Sequence, residues 1–473
     1  MRVSTQMKAR ETGDRSLQQK IDEHGSALTM LRNAQAGPYV FPIPAEYSNW
    51  REEQRAWRET VALMDMSFHM SDLYIEGPDA KKFIESLAVN SFDNFRGNKA
   101  KQFVACAPSG YLIGDMICIG LSDTLVNLVG RPTPANWVEY QASLGKYDIR
   151  CERDERKVDN TRPRKTCRFQ IQGPKGWELL EKLNGGKIDQ PGFFKMGTLK
   201  VGGRTLRSLR HGMGGAPGLE FWGPAELYDE VRNAIIEAGE AFGLRLVGAR
   251  AYSTTPVDSG WLPCPLPAIY DGEETRAFRE WLPAASYEGT ASLGGSFVSE
   301  NIHDYFCTPW ELDYGRVIRF DHDFVGREAL QNIQDRPQRK KVSLAFDGAL
   351  VADLFRSQFI CGKNGKGMEF PTANYASYPY DSVFDAKGNR VGVSTYLSFI
   401  APDNALVSLA VLDEAVAAEG TDVTVLWGEP SGGSNRPTVE RHVQMELKAR
   451  VCKWPFSKLA QSSYRPTRSK GAR

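Results

Sequence analysis

RFQIQGPKGWELLEKL, residues 168–183, decides the fold. Arg168-Phe-Gln-Ile-Gln172 reads as a strand, Gly173-Pro174 stops it, and Trp177 to Leu183 reads as a helix. The same order stands earlier in the chain. LYIEGPDAKKFIESL, residues 73–87, alternates as far as Gly77-Pro78 and turns helical from Asp79. Two copies of strand, Gly-Pro and helix make a weak internal repeat, consistent with two related α+β units.

Outward from these copies the pattern continues. Residues 101–106 and 111–120 read as a strand pair joined by Pro108-Ser109-Gly110, and Leu125 to Val129 as a further strand stopped by Gly130-Arg131-Pro132. After the second copy, two strand-like runs at 198–201 and 204–209 precede an apolar strand that carries Glu220. Ala225 to Ala241 then reads as a long amphipathic helix. Trp50 to Leu63 has helical character. Residues 253–320, rich in Pro, Gly, Trp and Tyr, suit connections and site loops. Near residue 335 the composition changes. Short strand-like runs at Lys341 to Phe346, 388–395, Ala405 to Val411 and Asp422 to Trp427 indicate a C-terminal all-β barrel or sandwich.

Composition narrows the function classes. The 473 residues correspond, as a soft prior, to about three domains. A hydrophobic content of 41% with 25% charged residues is that of a soluble globular protein. A net charge of +1 gives no field favouring nucleic acid. Residues 1–25 are polar and read as disordered or loosely helical. The stretch from Lys448 to Arg473, with eight Lys/Arg and no acid, reads as a solvated, frayed tail. The eight cysteines are scattered without C-x-x-C or zinc-ligand spacing, so no metal is expected and reduced thiols are. With no long apolar run and no signal peptide, a cytoplasmic protein without membrane contact is expected.

Two glycine- and aspartate-rich motifs lead nowhere. Gly212-Met-Gly-Gly-Ala-Pro-Gly218 lacks the G-x-G-x-x-G spacing, and Pro217 would interrupt the helix that binds a pyrophosphate. It reads as a tight turn before a strand, with close backbone approach to a ligand as its functional version. Phe320-Asp-His-Asp-Phe-Val-Gly326 lacks the spacing of corrinoid-binding motifs and reads as a turn into the helix at Arg327.

Four residues carry more chemistry. Glu220 lies in the apolar run Leu219-Glu-Phe-Trp222, and a carboxylate buried there needs a partner. An arginine such as Arg210 or Arg250 is one; two N–H donors of a polar heterocycle are the other. His69, in Met66-Ser-Phe-His-Met70, reads as a structural buried histidine or a site residue. Arg131 follows a strand end and suits bidentate capture of a carboxylate. Tyr252 stands among small residues in Gly248-Ala-Arg-Ala-Tyr-Ser253, a phenol placed for proton chemistry.

Ordered motifs over roughly residues 45–450 resemble the aminomethyltransferase (glycine-cleavage T-protein) superfamily of tetrahydrofolate enzymes. Gly110-Tyr-Leu-Ile-Gly-Asp115 resembles its G-G-x-x-D-D strand, Phe169-Gln-Ile-Gln-Gly-Pro174 its L-x-x-Q-G-P turn and Gly218-Leu-Glu220 its G-x-E strand. Gly248 to Ser253 occupies the place of its A-R-D-S-L-R loop, and Phe324-Val-Gly-Arg-Glu-Ala-Leu330 matches its F-I-G-K/R-E-A-L helix start. Within the superfamily the chain is most similar to the bacterial aryl O-demethylases acting on vanillate, syringate and 3-O-methylgallate. The stretches Ser48-Asn-Trp50, Asn98 to Gln102, Leu209-Arg-His-Gly-Met213, Gly294 to Ser299 and Phe320 to Phe324 carry that similarity.

The resemblance implies an α+β fold in three domains: residues 1–72 with 165–265 as the folate-binding domain, 73–164 with 266–335 as a second α+β domain, and 336–473 as a β-barrel or sandwich. It implies that Glu220 holds the pterin N–H groups and that Gln170, Trp261 and the backbone near Val129 complete the tetrahydrofolate pocket. His69, Arg131 and Tyr252 would line the aromatic substrate, with Tyr252 catalytic. The methyl group of a methoxylated aromatic acid would pass to N5 of tetrahydrofolate. No lipoyl-carrier protein is expected, because Ala251 stands where aminomethyltransferases carry Asp. Phe41 and Met66 stand where vanillate enzymes have Tyr and Gln, and a less polar pocket suits the extra methoxy group of syringate. Vanillate and 3-O-methylgallate are the alternatives. An aminomethyltransferase or a non-enzymatic folate-binding protein is more remote, and the K-G-C-x-x-G-Q signature of the latter is missing.

Overall fold

The computed structural model describes residues 14–37, 40–156, 164–263, 265–434 and 436–464. It is a mixed α+β structure with two large open sheets, a two-stranded pair and a closed barrel among the described residues. The first sheet has six strands in the order Leu244–Val247, Val61–Asp65, Thr166–Gln172, Gly218–Pro224, Arg204–Leu209, Met196–Val201. Its first pair is parallel and the others are antiparallel. The strand period of two sorts its side chains. Val61, Leu63, Phe169, Ile171, Leu219 and Phe221 pack with Leu179, Leu180, Val231 and Ile235 of the helices Gly176–Asn184 and Tyr228–Gly239. Met64, Gln170 and Glu220 therefore share the opposite face, in register across three strands.

The second sheet has five antiparallel strands, Ala100–Cys106, Leu112–Gly120, Leu125–Gly130, Ser71–Glu76 and Arg150–Asp154. One face packs in the largest core with helices Ala80–Glu85, Pro132–Ser143 and Arg276–Trp281. The N-terminal helices Leu17–Glu23 and Ala27–Asn33 join that core through Leu17, Ile21, Met30 and Leu31. The first begins in a capping box between Ser16 and Gln19, so part of the polar N-terminal stretch is ordered; residues 1–13 lie outside the described residues. The two sheets meet where Ile119 and Val129 of one pack against Leu209 and Trp222 of the other. Beside that apolar contact runs an ionic one. Asp72 of the second sheet accepts from Arg164 at 2.6 Å and from Arg168, in the strand Thr166–Gln172 of the first, at 3.2 Å.

The C-terminal region is a closed barrel, not a sandwich. Its strands run Lys340–Phe346, Ala405–Leu412, Arg390–Ile400, Asp381–Phe384, Asp422–Trp427, Met445–Cys452, and the last pairs with the first. Val342, Leu344, Val383, Ala410, Val425 and Val451 share a core cluster. Three details of the sequence reading need correction. Lys448 to Cys452 belongs to a barrel strand and not to a frayed tail, because its Leu447, Ala449 and Val451 alternate into the core; residues 465–473 lie outside the described residues. Helix 50–59 ends before Val61, which starts a fully buried strand, since the run of apolar residues there serves a sheet. The long helix is α-helical only over 228–239, with 3₁₀ turns at either end.

Candidate active site

A cavity of about 550 Å³ lies between the two sheets and is closed by loops and by the edge of the barrel. Eight of the nine sequence-predicted site residues border it: Phe41, Met66, His69, Val129, Arg131, Glu220, Tyr252 and Trp261. Gln170 does not. It stands behind Glu220 and donates to its Oε2 at 2.6 Å.

Glu220 reaches the cavity side because Leu219 and Phe221 turn to the helices. Its partner is neither Arg210 nor Arg250. Arg210 is bound to the Pro191 carbonyl, and Arg250 to Glu46 and the Phe370 carbonyl. The partner is Arg168, whose Nη1 donates to Oε1 at 2.7 Å. Arg168 and Gln170 sit two apart on one strand and so face the same side, which places both beneath the carboxylate. Nδ1 of His211 lies 3.4 Å from Oε2. Burial opposes charge on Glu220, which is 0% exposed, but the His211 contact and the Arg168 charge outweigh it and hold the pKa down to about 2. The carboxylate is thus ionised at every physiological pH.

The glycine turn before Glu220 wraps side-chain amides. The Gly214 N–H donates to Oε1 of Gln172 at 2.6 Å and the Met213 N–H to Oε1 of Gln170 at 3.0 Å. A Cβ at Gly212 would lie 1.4 Å from Nε2 of Gln172, and one at Gly218, where φ is +151°, would lie 1.8 Å from the Ile171 carbonyl oxygen. Glycine is required at Gly218, where the clash is with backbone; at Gly212 a side chain would displace the Gln172 amide.

A second part of the lining is aromatic. Tyr252 ends the short helix Ala249–Tyr252, and its hydroxyl lies 3.1 Å from Nε2 of His69. Phe41 meets both rings edge-on, with centroids 5.5 Å from His69 and 5.0 Å from Tyr252. Tyr252 is 3% and His69 7% exposed. Burial lowers the His69 pKa to about 3, Glu220 opposing and Arg164 and Arg168 adding to the fall, so the imidazole is neutral. The base of the wall hangs on Glu53, a buried residue of helix 50–59. Its Oε1 accepts from the Tyr47 and Ser48 N–H groups and its Oε2 from the Gly248 N–H. The Ala249 and Arg250 N–H groups bond the Pro44 and Ala45 carbonyls. One carboxylate thereby ties the loop after Phe41 to the helix of Tyr252.

Arg131 precedes the helix Pro132–Ser143 and donates to the Pro263 carbonyl and the Tyr287 hydroxyl. Trp261 donates from Nε1 to Asp115 at 3.2 Å. Asp115 also accepts from Gln102 at 2.7 Å, and burial raises its pKa. Asp115, Gln102 and His211 border the cavity, and Arg168 supports it, though sequence reasoning gave none of them a role. A signal existed for each: Asp115 closes the G-Y-L-I-G-D strand, Gln102 ends N-K-A-K-Q, His211 centres L-R-H-G-M and Arg168 shares the strand face of Gln170. Nothing in the sequence pointed to the wall supplied by the barrel side, Phe370 to Thr372, Asn374, Ala376, Ser377 and Tyr396. Among the described residues no group of three or more His, Cys, Asp or Glu is placed to hold a metal ion. No described helix is long and apolar enough to cross a membrane.

Comparison with known proteins agrees with this architecture. Residues 29–264 match the GCVT N-terminal domain family. The chain is 44% identical over 452 residues, 95% of its length and 98% of the relative's, to a protein named syringate O-demethylase from Sphingobium sp. (strain NBRC 103272 / SYK-6). It is 28% identical to sesamin methylene transferase from Sinomonas sp. (strain No.22), over 86% and 91% of the two chains. The crystal structure of the glycine cleavage system aminomethyltransferase T from Bartonella henselae superposes on 90% of the chain, and on 96% of that structure, with a TM-score of 0.58 at 16% identity, a likeness of fold. The chain therefore belongs to the aminomethyltransferase (glycine-cleavage T-protein) superfamily, in the branch that contains the syringate O-demethylase.

Proposed function

We propose that the protein is a tetrahydrofolate-dependent O-demethylase of methoxylated aromatic acids, converting syringate to 3-O-methylgallate. The observation that carries this reading is the pairing of two unlike walls on one cavity. An ionised carboxylate, Glu220, and the Tyr252 phenol beside a neutral imidazole border the same cavity. Vanillate and 3-O-methylgallate are the alternative substrates.

Tetrahydrofolate supplies a secondary amine, N5, that accepts the methyl group. The donor set suits its pterin ring: Glu220 presents carboxylate oxygens to N–H groups, Gln170 and Arg168 fix their direction, and Trp261 with the strand at Val129 lines the remainder. The chain's own task is to make a phenol leave. A phenolate is a poor leaving group, and Tyr252 donates its proton to the ether oxygen as the carbon–oxygen bond breaks. A tyrosine and the departing phenol are acids of the same kind, the condition for efficient general acid catalysis. His69, neutral, lies within hydrogen-bond distance of the hydroxyl and fixes its position. The proton that N5 loses equals the one Tyr252 gives, so the phenol is restored without net uptake. Arg131 at the pocket wall anchors the aromatic carboxylate, leaving the Pro263 carbonyl or the Tyr287 hydroxyl to do so.

The apolar ring-side residues Phe41 and Met66 support the dimethoxylated substrate. With Ala251 in the loop of Tyr252, Asp115 and Glu220 are the carboxylates that border the cavity among the described residues, and no carrier protein is invoked. The cytoplasm is the proposed compartment. The test is a product assay on vanillate, syringate and 3-O-methylgallate with tetrahydrofolate present or omitted. A catechol product and 5-methyltetrahydrofolate should appear together and only when both substrates are present. Demethylation without tetrahydrofolate, or none with any of the three acids, refutes the reading.

A further inference from the structure

Glu220 poses an accessibility problem. It borders the cavity, yet no part of it is exposed. Its lone pairs are also nearly spoken for. A carboxylate offers about four acceptor sites, two on each oxygen. Oε1 accepts from Arg168, whereas Oε2 carries both Gln170 at 2.6 Å and His211 at 3.4 Å. A ring presenting two parallel N–H groups needs one free site on each oxygen. Oε1 has one, and Oε2 has none until a partner leaves.

The two partners on Oε2 are not equally held. Gln170 is fully buried, stands directly across the sheet from Glu220, and has its other amide atom fixed by the Met213 N–H. His211 sits on a connection after the strand Arg204–Leu209, its side chain is 16% exposed, its contact is the longest of the three, and it borders the cavity. Its ring leans edge-on against Phe194, itself a cavity residue, at 5.6 Å.

We infer that His211 is a folate-displaced cover: its ring holds the pterin's place on Oε2 of Glu220, and tetrahydrofolate binds by exchanging that hydrogen bond for its own. His211 is then a determinant of cofactor affinity that acts against binding, the reverse of a supporting residue. The inference rests on the reading of Glu220 as the pterin-binding carboxylate.

Calorimetric titration of tetrahydrofolate into wild type, His211→Ala, His211→Gln and Glu220→Gln tests it. Removing one hydrogen bond's worth of competition should make His211→Ala bind roughly three- to tenfold more tightly. His211→Gln, which keeps an N–H able to reach the carboxylate, should stay near wild type. Glu220→Gln should bind far more weakly. If Glu220→Gln binds like wild type, the carboxylate is not the pterin site and both statements fall. If Glu220→Gln weakens binding and His211→Ala is equal to or weaker than wild type, His211 supports the site and the cover alone is refuted.

Discussion

The two walls of the cavity are built on opposite physical plans. Glu220 lies in the middle of a regular sheet and is stabilised by charge: Arg168 bridges it to Asp72, and Asp72 is shared with Arg164. Tyr252 lies on a four-residue helix and is held by ring contacts and backbone hydrogen bonds, with a neutral histidine as its polar neighbour. A binding group that must stay ionised needs a cationic network that outweighs its burial. A proton donor needs the reverse, neighbours that leave it neutral. His69 stands where the two plans meet: Glu220, Arg164 and Arg168 act on its charge, and burial decides that it stays neutral.

The difference can be broken at each end. The largest effect is expected from Tyr252→Phe, which should lower kcat by about 10²–10⁴ while tetrahydrofolate affinity, read by calorimetry, stays. A near wild-type rate removes Tyr252 from the chemistry. Next comes Arg168→Met, which leaves Asp72 and Glu220 facing each other without their shared cation. Losing one partner of a buried pair should cost about 3–5 kcal/mol in urea denaturation. A smaller loss means that water or Gln170 compensates.

Acid should strike the Tyr252 side through His69. Its folded pKa lies near 3 and its unfolded value near 6.5, so between those values the unfolded chain binds a proton that the native state does not. Stability therefore falls as pH drops through that window, by up to about 1.4 kcal/mol per pH unit from this residue. Glu220, with its folded pKa lowered to about 2, contributes stability above the unfolded carboxylate pKa, lost as pH falls towards 2. His69→Gln should flatten the acid limb above pH 5, where Glu220 stays ionised in both states. An unchanged limb places the titration elsewhere. The smallest effect concerns selectivity. Phe41→Tyr with Met66→Gln should shift kcat/KM from syringate towards vanillate by about tenfold, the scale of one small-group change in an apolar pocket. No shift in the ratio places discrimination on the barrel side of the cavity.

How much of this was legible in the sequence follows from what each residue answers to. Phe169 and Ile171 announce a strand by alternation, and Glu220 is conspicuous because it breaks an apolar run. Tyr252 and His69 stand out locally, and the family resemblance adds their roles; their mutual hydrogen bond joins residues 183 positions apart and no local pattern encodes it. Of the two kinds of partner the sequence offers Glu220, the arginine is present, but as Arg168 and not Arg210 or Arg250, because pairing is set by strand register and not by proximity in sequence. Arg168, 52 positions upstream, sits two residue pairs off Glu220 in that register. The barrel's share of the wall was illegible for the same reason. Phe370 and Tyr396 meet the cavity by the docking of separate elements, which leaves no periodicity. The basic composition of Lys448 to Lys453 concealed a strand whose inward residues are apolar.

Glu53 has a bearing on how such enzymes can be rebuilt. By holding Tyr47, Ser48 and Gly248 on a single side chain, it makes the ring-contacting loop and the tyrosine helix one mechanical block. Segments 41–48 and 248–252 are distant in the gene but behave as one cassette. A chimera that exchanges either segment alone would carry half of a matched joint; exchanging both, together with residue 53, transplants the joint whole.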